Sequence, residues 1–448
     1  MPYPKRQRSG PHQSRTGHRV LSLLLLFALL SPLLVACGSA TTPDPPTAGG
    51  PQPTVTEPHD LPVTISLYGE FRDDELTLLD QQINRFEAAN PDILVEIMEE
   101  RGSGELVDLM AEQLAEEGDV TADLVRMDDA WLADFAAQGW LAPLSDYVKS
   151  SELNLDLFVP GSVQASTVDG RLYALPWIVD AGLLYTRQDL LDLTGSEQPQ
   201  SWAEVQDLAL EMVREGLVSQ GFVWQGAAYE GLTCNTLEYV WAHGGALLDE
   251  QGRVVFDSPA TRSALEQMAG LIGSGASPQN VSTYREGTSL APFRDGDAAL
   301  LRNWPYAWER LHRDDSAVAG RVGTALLPAS CLTGQLLTLS ARSMHPEQAM
   351  RFMQFLVDHD QQLQVATELG RPSALKSVYE DSRLGRTQPF LLALRPALDL
   401  ARPRPRTAAY AQVSEAVYEE VNRLLSGEQG VDETAANVQR RVEAVLGD

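Results

Sequence analysis

From residue 61 onward the apolar positions switch between two spacings, and the switching predicts strands separated by helices. Val63-Thr64-Ile65-Ser66-Leu67-Tyr68 alternates as a half-buried strand does. Leu76, Leu79, Ile83 and Phe86 then recur at intervals of three and four, a helix that must stop by Asn90-Pro91 because the proline ring disfavours α conformation before it. Ile93–Ile97 predicts a second strand, Glu105–Glu117 a second helix and Ala122–Met127 a third strand. This grammar argues for a parallel sheet with helices on both faces. Ligands of such sheets bind at the carboxyl ends of the strands, which puts Glu70, Arg101 and Asp128 at the rim.

The middle of the chain repeats the grammar. Leu172–Trp177 and Gly182–Tyr185 read as strands flanking Asp180. Ser201 and Glu204 open the next helix as a capping box, and further helices are expected over Leu232–Gly244, Ser258–Gly273, Pro346–Leu369, Tyr410–Leu425 and Glu433–Leu446. No internal repeat interrupts this order.

Residues 1–36 do not fit the pattern. They hold Lys5, Arg6, Arg8, Arg15 and Arg19, no acid, and an apolar run from Val20 to Val35 that is short for a membrane span and about right for a secretory signal. The run ends in Leu34-Val35-Ala36-Cys37, which resembles the bacterial lipobox, where the cysteine is lipidated and becomes the mature N-terminus. An uncleaved signal anchor with an incidental cysteine is the alternative. Residues 37–60 carry six prolines and almost no large apolar side chain, so they read as an extended tether after lipidated Cys37.

Charge then narrows the partners. The chain has 62 acidic against 34 basic residues, a net charge of −28, and without residues 1–36 the remainder stands at −33. Its arginines are spread through an acidic surface instead of forming a phosphate-binding track, which argues against nucleic acid. Attachment to a membrane would rest on acyl chains, since the body repels anionic headgroups. With Cys37 taken by lipid, Cys234 and Cys331 remain, an even number suited to a disulfide in an oxidising compartment; two separate buried thiols are the other option.

Catalytic signatures are missing. The sequence has no GxSxG, HExxH, GxxxxGK[ST] or GxGxxG, and His59, His243, His312, His345 and His359 are scattered, so neither a metal nor a cofactor is expected. Aromatic residues beside isolated polar groups stand out instead. Trp177 precedes Asp180 by three residues, and Arg302-Asn303-Trp304-Pro305-Tyr306-Ala307-Trp308 gathers three aromatics in seven positions. Sugars combine hydroxyl edges with apolar faces, and pockets for them mix Trp and Tyr with Asp, Glu and Arg. Core packing explains such a cluster equally well, and paired carboxylates also permit glycoside hydrolysis.

The segment Val168-Asp169-Gly170-Arg171-Leu172-Tyr173-Ala174-Leu175-Pro176-Trp177-Ile178-Val179-Asp180-Ala181-Gly182-Leu183-Leu184-Tyr185 resembles the hinge signature of the family 1 extracellular solute-binding proteins, the sugar receptors of ATP-binding-cassette importers. Asp128-Asp129-Ala130-Trp131-Leu132, Gly139–Leu144, Tyr229-Glu230-Gly231-Leu232, Phe293–Ala299 and the Arg302–Trp308 block follow in the order that family has them. The last is similar to the trehalose/maltose-binding branch. The resemblance implies an α/β, two-lobed periplasmic-binding-protein-like fold of type II, each lobe a central sheet flanked by helices, with a hinge of crossing segments. Residues 61–178 and 293–338 would form the N-terminal lobe, and 179–292 and 339–448 the C-terminal lobe.

It further implies that Glu70, Arg101 and Asp128 bind sugar hydroxyls from the first lobe and Asp180 from the second. Trp304 would stack on a ring, Trp177 line the cleft and Arg404 clamp from the far lobe, with Tyr229 a further candidate. Where the branch has Gly-Gly-Trp, this chain has Thr333-Gly334-Gln335; Gly334 would offer its amide, and Gln335 replaces a stacking surface. The implied function is an extracytoplasmic, lipid-anchored, monomeric receptor, not an enzyme. It would capture a di- or oligosaccharide for a membrane permease on the outer face of the bacterial cytoplasmic membrane. An exported glycoside hydrolase using a pair from Glu70, Asp128 and Asp180, or a receptor for a peptide or polyamine, are the competing readings.

Overall fold

A computed structural model describes residues 61–99, 122–150 and 153–447. The leader, the tether, Cys37, Arg101 and the helix expected over Glu105–Glu117 lie outside the described residues. Strand β1 (Val63–Gly69) buries Ile65 and Leu67 on one face, as its alternation requires. Helix α1 (Asp73–Ala89) packs Leu78, Leu79, Ile83 and Phe86 inward and ends where expected, the Asn90 amide donating to Phe86 O at 2.9 Å before Pro91. Strands β2 (Ile93–Glu99) and β3 (Leu124–Asp128) flank β1, both parallel to it.

The chain then runs along β4 (Ala174–Ala181) and, after Gly182, β5 (Leu183–Arg187). At the start of α2 (Trp202–Arg214) the capping box is half formed: Ser201 Oγ accepts from the Glu204 amide at 3.2 Å, but the Glu204 carboxylate accepts from the amide of Gln200. Next come β6 (Gln220–Val223), α3 (Glu230–Ala242), α4 (Pro259–Ser274), β7 (Ala298–Asn303), α5 (Ala307–Leu311), β8 (Val322–Ala325) and β9 (Cys331–Leu339). The single helix expected over Pro346–Leu369 is two, α6 (Pro346–Leu356) and α7 (His359–Leu369). Asp358 separates them, its carboxylate accepting the amides of Asp360 at 2.8 Å and Gln361 at 3.2 Å. The chain closes with α8 (Pro389–Leu400), β10 (Arg402–Pro403), α9 (Tyr410–Leu425) and α10 (Val431–Gly447).

Two sheets give the two-lobed α/β architecture. The first holds β1, β2, β3, β4, β9 and β10; the second runs β8-β5-β7-β6. Neither is wholly parallel, which corrects the expectation from the alternating pattern. β9 runs antiparallel to β3 and to β4, because it arrives directly from the other sheet with no helical crossover to turn it around. The lobes also divide the chain differently from the expected boundaries. Within 293–338, β7 and β8 pair in the second sheet and only β9 belongs to the first. Within 339–448, α6 to α8 pack on the first sheet, with Phe352 4.9 Å from Phe86, and only α9 and α10 join the second core, through Val413, Val417, Val438 and Val442.

The backbone therefore crosses between sheets at Gly182, between β8 and β9, and between β10 and α9. The first two crossings are pinned by one buried pair. Arg302 Nε donates to Glu238 Oε2 at 2.9 Å, while Glu238 Oε1 accepts the Cys331 amide at 3.0 Å; the Gly182 amide donates to Cys331 O at 3.1 Å and Ser330 Oγ to Gly182 O at 2.9 Å. A methyl group at Gly182 would press into both Glu238 Oε1 and Arg302 Nη2. Gly182→Ala is thus expected to destabilise the protein by about 3 kcal/mol or more, the scale of breaking a buried ion pair. Urea unfolding measures it, and an unchanged midpoint would contradict this account of the crossing.

Candidate functional site

The carboxyl ends of β1 and β3 meet the first turn of α1 around a cavity of about 230 Å³. Glu70 follows β1, Asp128 ends β3, and Gln335 of β9 stands opposite Asp128 in the antiparallel register. Phe71, Trp131 and Arg371 also line the cavity. Three of the residues expected from sequence thus come together.

Below them lies a buried cation. Arg126 sits mid-strand with its guanidinium 5.0 Å from the centre of the Phe71 ring and 4.9 Å from that of Trp177. Its Nη1 donates to Glu70 O at 2.7 Å and to Glu75 Oε2 at 2.9 Å. Burial works to raise the Glu75 carboxyl, but Arg126 and Arg371 outweigh it and hold the group below its ordinary range. Trp177 is therefore a buried support for Arg126 rather than a lining surface.

Asp180 lies in β4 of the first sheet and not, as expected, in the second lobe; it stands opposite Thr333, with Arg371 Nη2 3.7 Å from its Oδ2. Burial raises its carboxyl above the usual value, opposed by Arg371 and reinforced by Asp128 and Glu75. Arg371, which lines the cavity, links Asp180 to its wall.

Arg404 takes a different part from the clamp expected of it. It is buried, and its Nη2 donates to Asp128 Oδ1, to Asp129 Oδ1 at 2.6 Å and to Thr333 Oγ1 at 3.1 Å, while Nη1 donates to Glu230 Oε1 at 2.9 Å. Asp128 and Asp129 come from the first lobe and Glu230 from the start of α3 in the second, so this guanidinium ties the lobes together. The Gly334 amide is also taken: it donates to Asp129 Oδ1 at 2.8 Å. Gly334 cannot carry a side chain, since a Cβ would press on Ile178 O across the strand pair.

The remaining candidates stand apart from the cavity. Trp304 lies under Arg302, whose guanidinium is 4.0 Å from its ring centre, and Tyr229 under Arg285 at 4.5 Å. Tyr306 and Trp308 of the same aromatic block instead line an adjoining cavity of about 180 Å³. Sequence reading missed Phe71, Arg72, Glu75, Arg126, Asp129 and Arg371. Arg126 carried one usable signal, a charged residue inside the apolar run Leu124–Met127; Arg371, in a loop after α7, carried none. A larger groove of about 820 Å³ borders Arg404 between residues 163–170 and 246–252, away from the strand ends.

The family described as bacterial extracellular solute-binding protein matches residues 73–363. A probable ABC transporter-binding protein of Deinococcus radiodurans is 33% identical over 302 residues, 64% of this chain and 71% of that one. Maltose-bound MalE3 of T. maritima superposes with a TM-score of 0.74 at 37% identity, covering 86% of this chain and 100% of that structure. The GacH receptor of Streptomyces glaucescens, solved unliganded and with acarbose, gives a TM-score of 0.74 at 25% identity over 87% of this chain and 100% of its own.

One cation facing Asp128, Asp129 and Glu230 leaves surplus negative charge. Burial pushes the Asp129 carboxyl up to about 6, against the pull of Arg404 and with the help of Asp128. The folded chain then keeps this proton where the unfolded chain has lost it, so the group makes stability fall as pH rises from about 4 to about 6. Asp129→Asn, which stays neutral, is expected to gain on the wild type by up to about 3 kcal/mol between those limits. Urea titrations of both proteins at acid and neutral pH read the difference, and a pH-independent gap would overturn it.

Proposed function

The chain belongs to the bacterial extracellular solute-binding proteins, and we propose that it is the sugar receptor of an ATP-binding-cassette importer. A member of this family binds its solute outside the cytoplasm and is not an enzyme, which removes the hydrolase reading. The proposed ligand is a di- or oligosaccharide of the trehalose/maltose type, held between Glu70, Asp128, Gln335 and Arg371 in the cavity at the strand ends. A maltose-bound relative at 37% identity supports the choice of sugar.

The observation that carries this reading is the mixture of groups around that cavity. Carboxylates accept hydroxyl protons, guanidinium groups donate to hydroxyl and ring oxygens, and Phe71 and Trp131 offer apolar faces. Arg72, Arg126 and Arg371 beside the same cavity balance its carboxylates, which disfavours a polyamine. Closure of the lobes around the three crossings would bring the Arg302–Trp308 block toward the sugar and expel water. Delivery to a permease, a monomeric state and attachment through lipid on Cys37 complete the proposal.

Glu70 is exposed and in no ion pair among the described residues, so it tests the site without disturbing the core. Calorimetric titration of the wild type with maltose or trehalose is expected to give micromolar binding. Glu70→Ala should weaken it by about 10- to 100-fold, the worth of one charge-assisted hydrogen bond, with the unfolding temperature unchanged. If the folded wild type bound no sugar at such concentrations, the receptor reading would fail.

Cys234 and Cys331 are free thiols with Sγ atoms 3.1 Å apart, joining α3 to the start of β9. We propose that they oxidise to a disulfide outside the cell, closing a loop of 97 residues worth about 4 to 5 kcal/mol in the chain-entropy model. Alkylation of exported protein before and after reduction should block neither thiol before and both after. Full alkylation of the denatured, unreduced protein would exclude the bond.

A further inference from the structure

We infer that Arg371 is the specificity-determining residue of the site, joining two adjoining cavities into one that takes a ligand of at least two sugar rings. Its guanidinium donates to the ligand oxygens where the rings meet. The inference rests on the sugar-receptor reading above.

Arg371 follows Gly370, which ends α7 in the left-handed conformation (φ 62°), and precedes Pro372, whose carbonyl accepts the Val179 amide at 3.2 Å. The backbone is therefore fixed against β4, and the side chain is pre-positioned. It is mostly buried, with 16% of its side chain exposed. Its nearest carboxylate oxygens, Asp180 Oδ2 at 3.7 Å and Glu75 Oε1 at 4.0 Å, are too far for hydrogen bonds, and Nε is buried without a partner. Arg126, Arg302 and Arg404, the other buried arginines near the crossings, each donate to at least one carboxylate within 2.9 Å. Arg371 alone of the four keeps its donors unused among the described residues. A buried cation in that state costs free energy that a ligand oxygen recovers.

Its position gives the ligand class. Arg371 lines both the 230 Å³ cavity of Glu70, Asp128 and Gln335 and the 180 Å³ cavity of Tyr306 and Trp308. Each is smaller than the roughly 300–1,000 Å³ of a typical small-molecule site, and together they fall within it. Arg72 also borders both, but it is bound to Asp74 by two hydrogen bonds, at 3.1 and 2.9 Å. The first cavity reads hydroxyls with carboxylates; the second has an aromatic wall of Tyr306, Trp308 and Phe390, with Trp308 stacked on Phe390 at 4.4 Å. At the junction one ligand hydroxyl can accept from Arg371 while donating to Asp180. A single ring reaches one cavity and leaves the other empty.

The experiment titrates glucose, mannitol, maltose and maltotriose into the full chain as wild type, Arg371→Met and Arg371→Lys, with thermal unfolding recorded for each. The wild type is expected to bind maltose or maltotriose about 100-fold more tightly than glucose or mannitol. Arg371→Met should lose about that factor for maltose and maltotriose, bringing them to the level of glucose, whose own affinity changes less than about threefold. Arg371→Lys should lose about tenfold on maltose and maltotriose and little on glucose, because an ammonium replaces a planar fork. A wild type that prefers glucose or mannitol, or a folded Arg371→Met that keeps its maltose affinity, overturns the inference while leaving the receptor reading intact. If the methionine variant does not fold, unchanged maltose affinity in the lysine variant overturns it equally. Absence of binding to every sugar by the wild type would instead sink the receptor reading, and this inference with it.

Discussion

The guanidinium of Arg404 is the contact on which the relation between the two lobes depends. It collects Asp128 and Asp129 from the end of the first sheet, Glu230 from the second lobe and Thr333 from the crossing strand. Pro403 and Pro405 fix the backbone on either side, so little conformational freedom is lost in holding the side chain there. Without that cation three carboxylates from two lobes would face one another in a poorly hydrated space. Glu230 is itself shared, accepting from Tyr410 Oη at 2.6 Å and from Ser414 Oγ, which carries the same network into α9.

This constraint also shapes the site. Asp128 is held on one oxygen by Arg404, and the same oxygen accepts the Ala130 amide at 2.9 Å, so the carboxylate is oriented before any ligand arrives. Glu75 and Arg126 do the same from below, fixing the Glu70 carbonyl and backing the cavity with Phe71 and Trp177. The site is therefore a small set of open groups, Glu70, Gln335, Arg371 and one side of Asp128, mounted on groups whose bonds are already made. Affinity for a hydroxylated ligand comes from the open groups; the closed ones keep them from rearranging.

Local signals in the sequence were strong wherever a backbone rule applied. Pro91 ended α1, Ser258 and Ser201 capped helices, and Tyr410–Leu425 showed its helical stripe at its full length. Long-range pairing was less legible. That β7 and β8 sit with β5 while β9 returns to β3 depends on three crossings that no local pattern marks. Strand-end reasoning found Glu70 and Asp128 because carboxyl ends of strands converge. It could not separate Arg404, whose donors are taken by carboxylates, from Arg371, whose donors are free, since the difference lies in carboxylates more than 170 positions away. The aromatic block was legible as a cluster but not in orientation: Trp304 turned under Arg302, and Tyr306 and Trp308 took the cavity wall.

The central claim is that sugar is held at the carboxyl ends of the first sheet, across Arg371. A crystal structure of the chain grown with maltose tests it most directly. The account predicts two rings of density spanning the cavity of Glu70, Asp128 and Gln335 and that of Tyr306 and Trp308, with the Arg404 network unchanged. Maltose seated in the groove between residues 163–170 and 246–252, or bound to Arg404 after its displacement from Asp128 and Asp129, would contradict it.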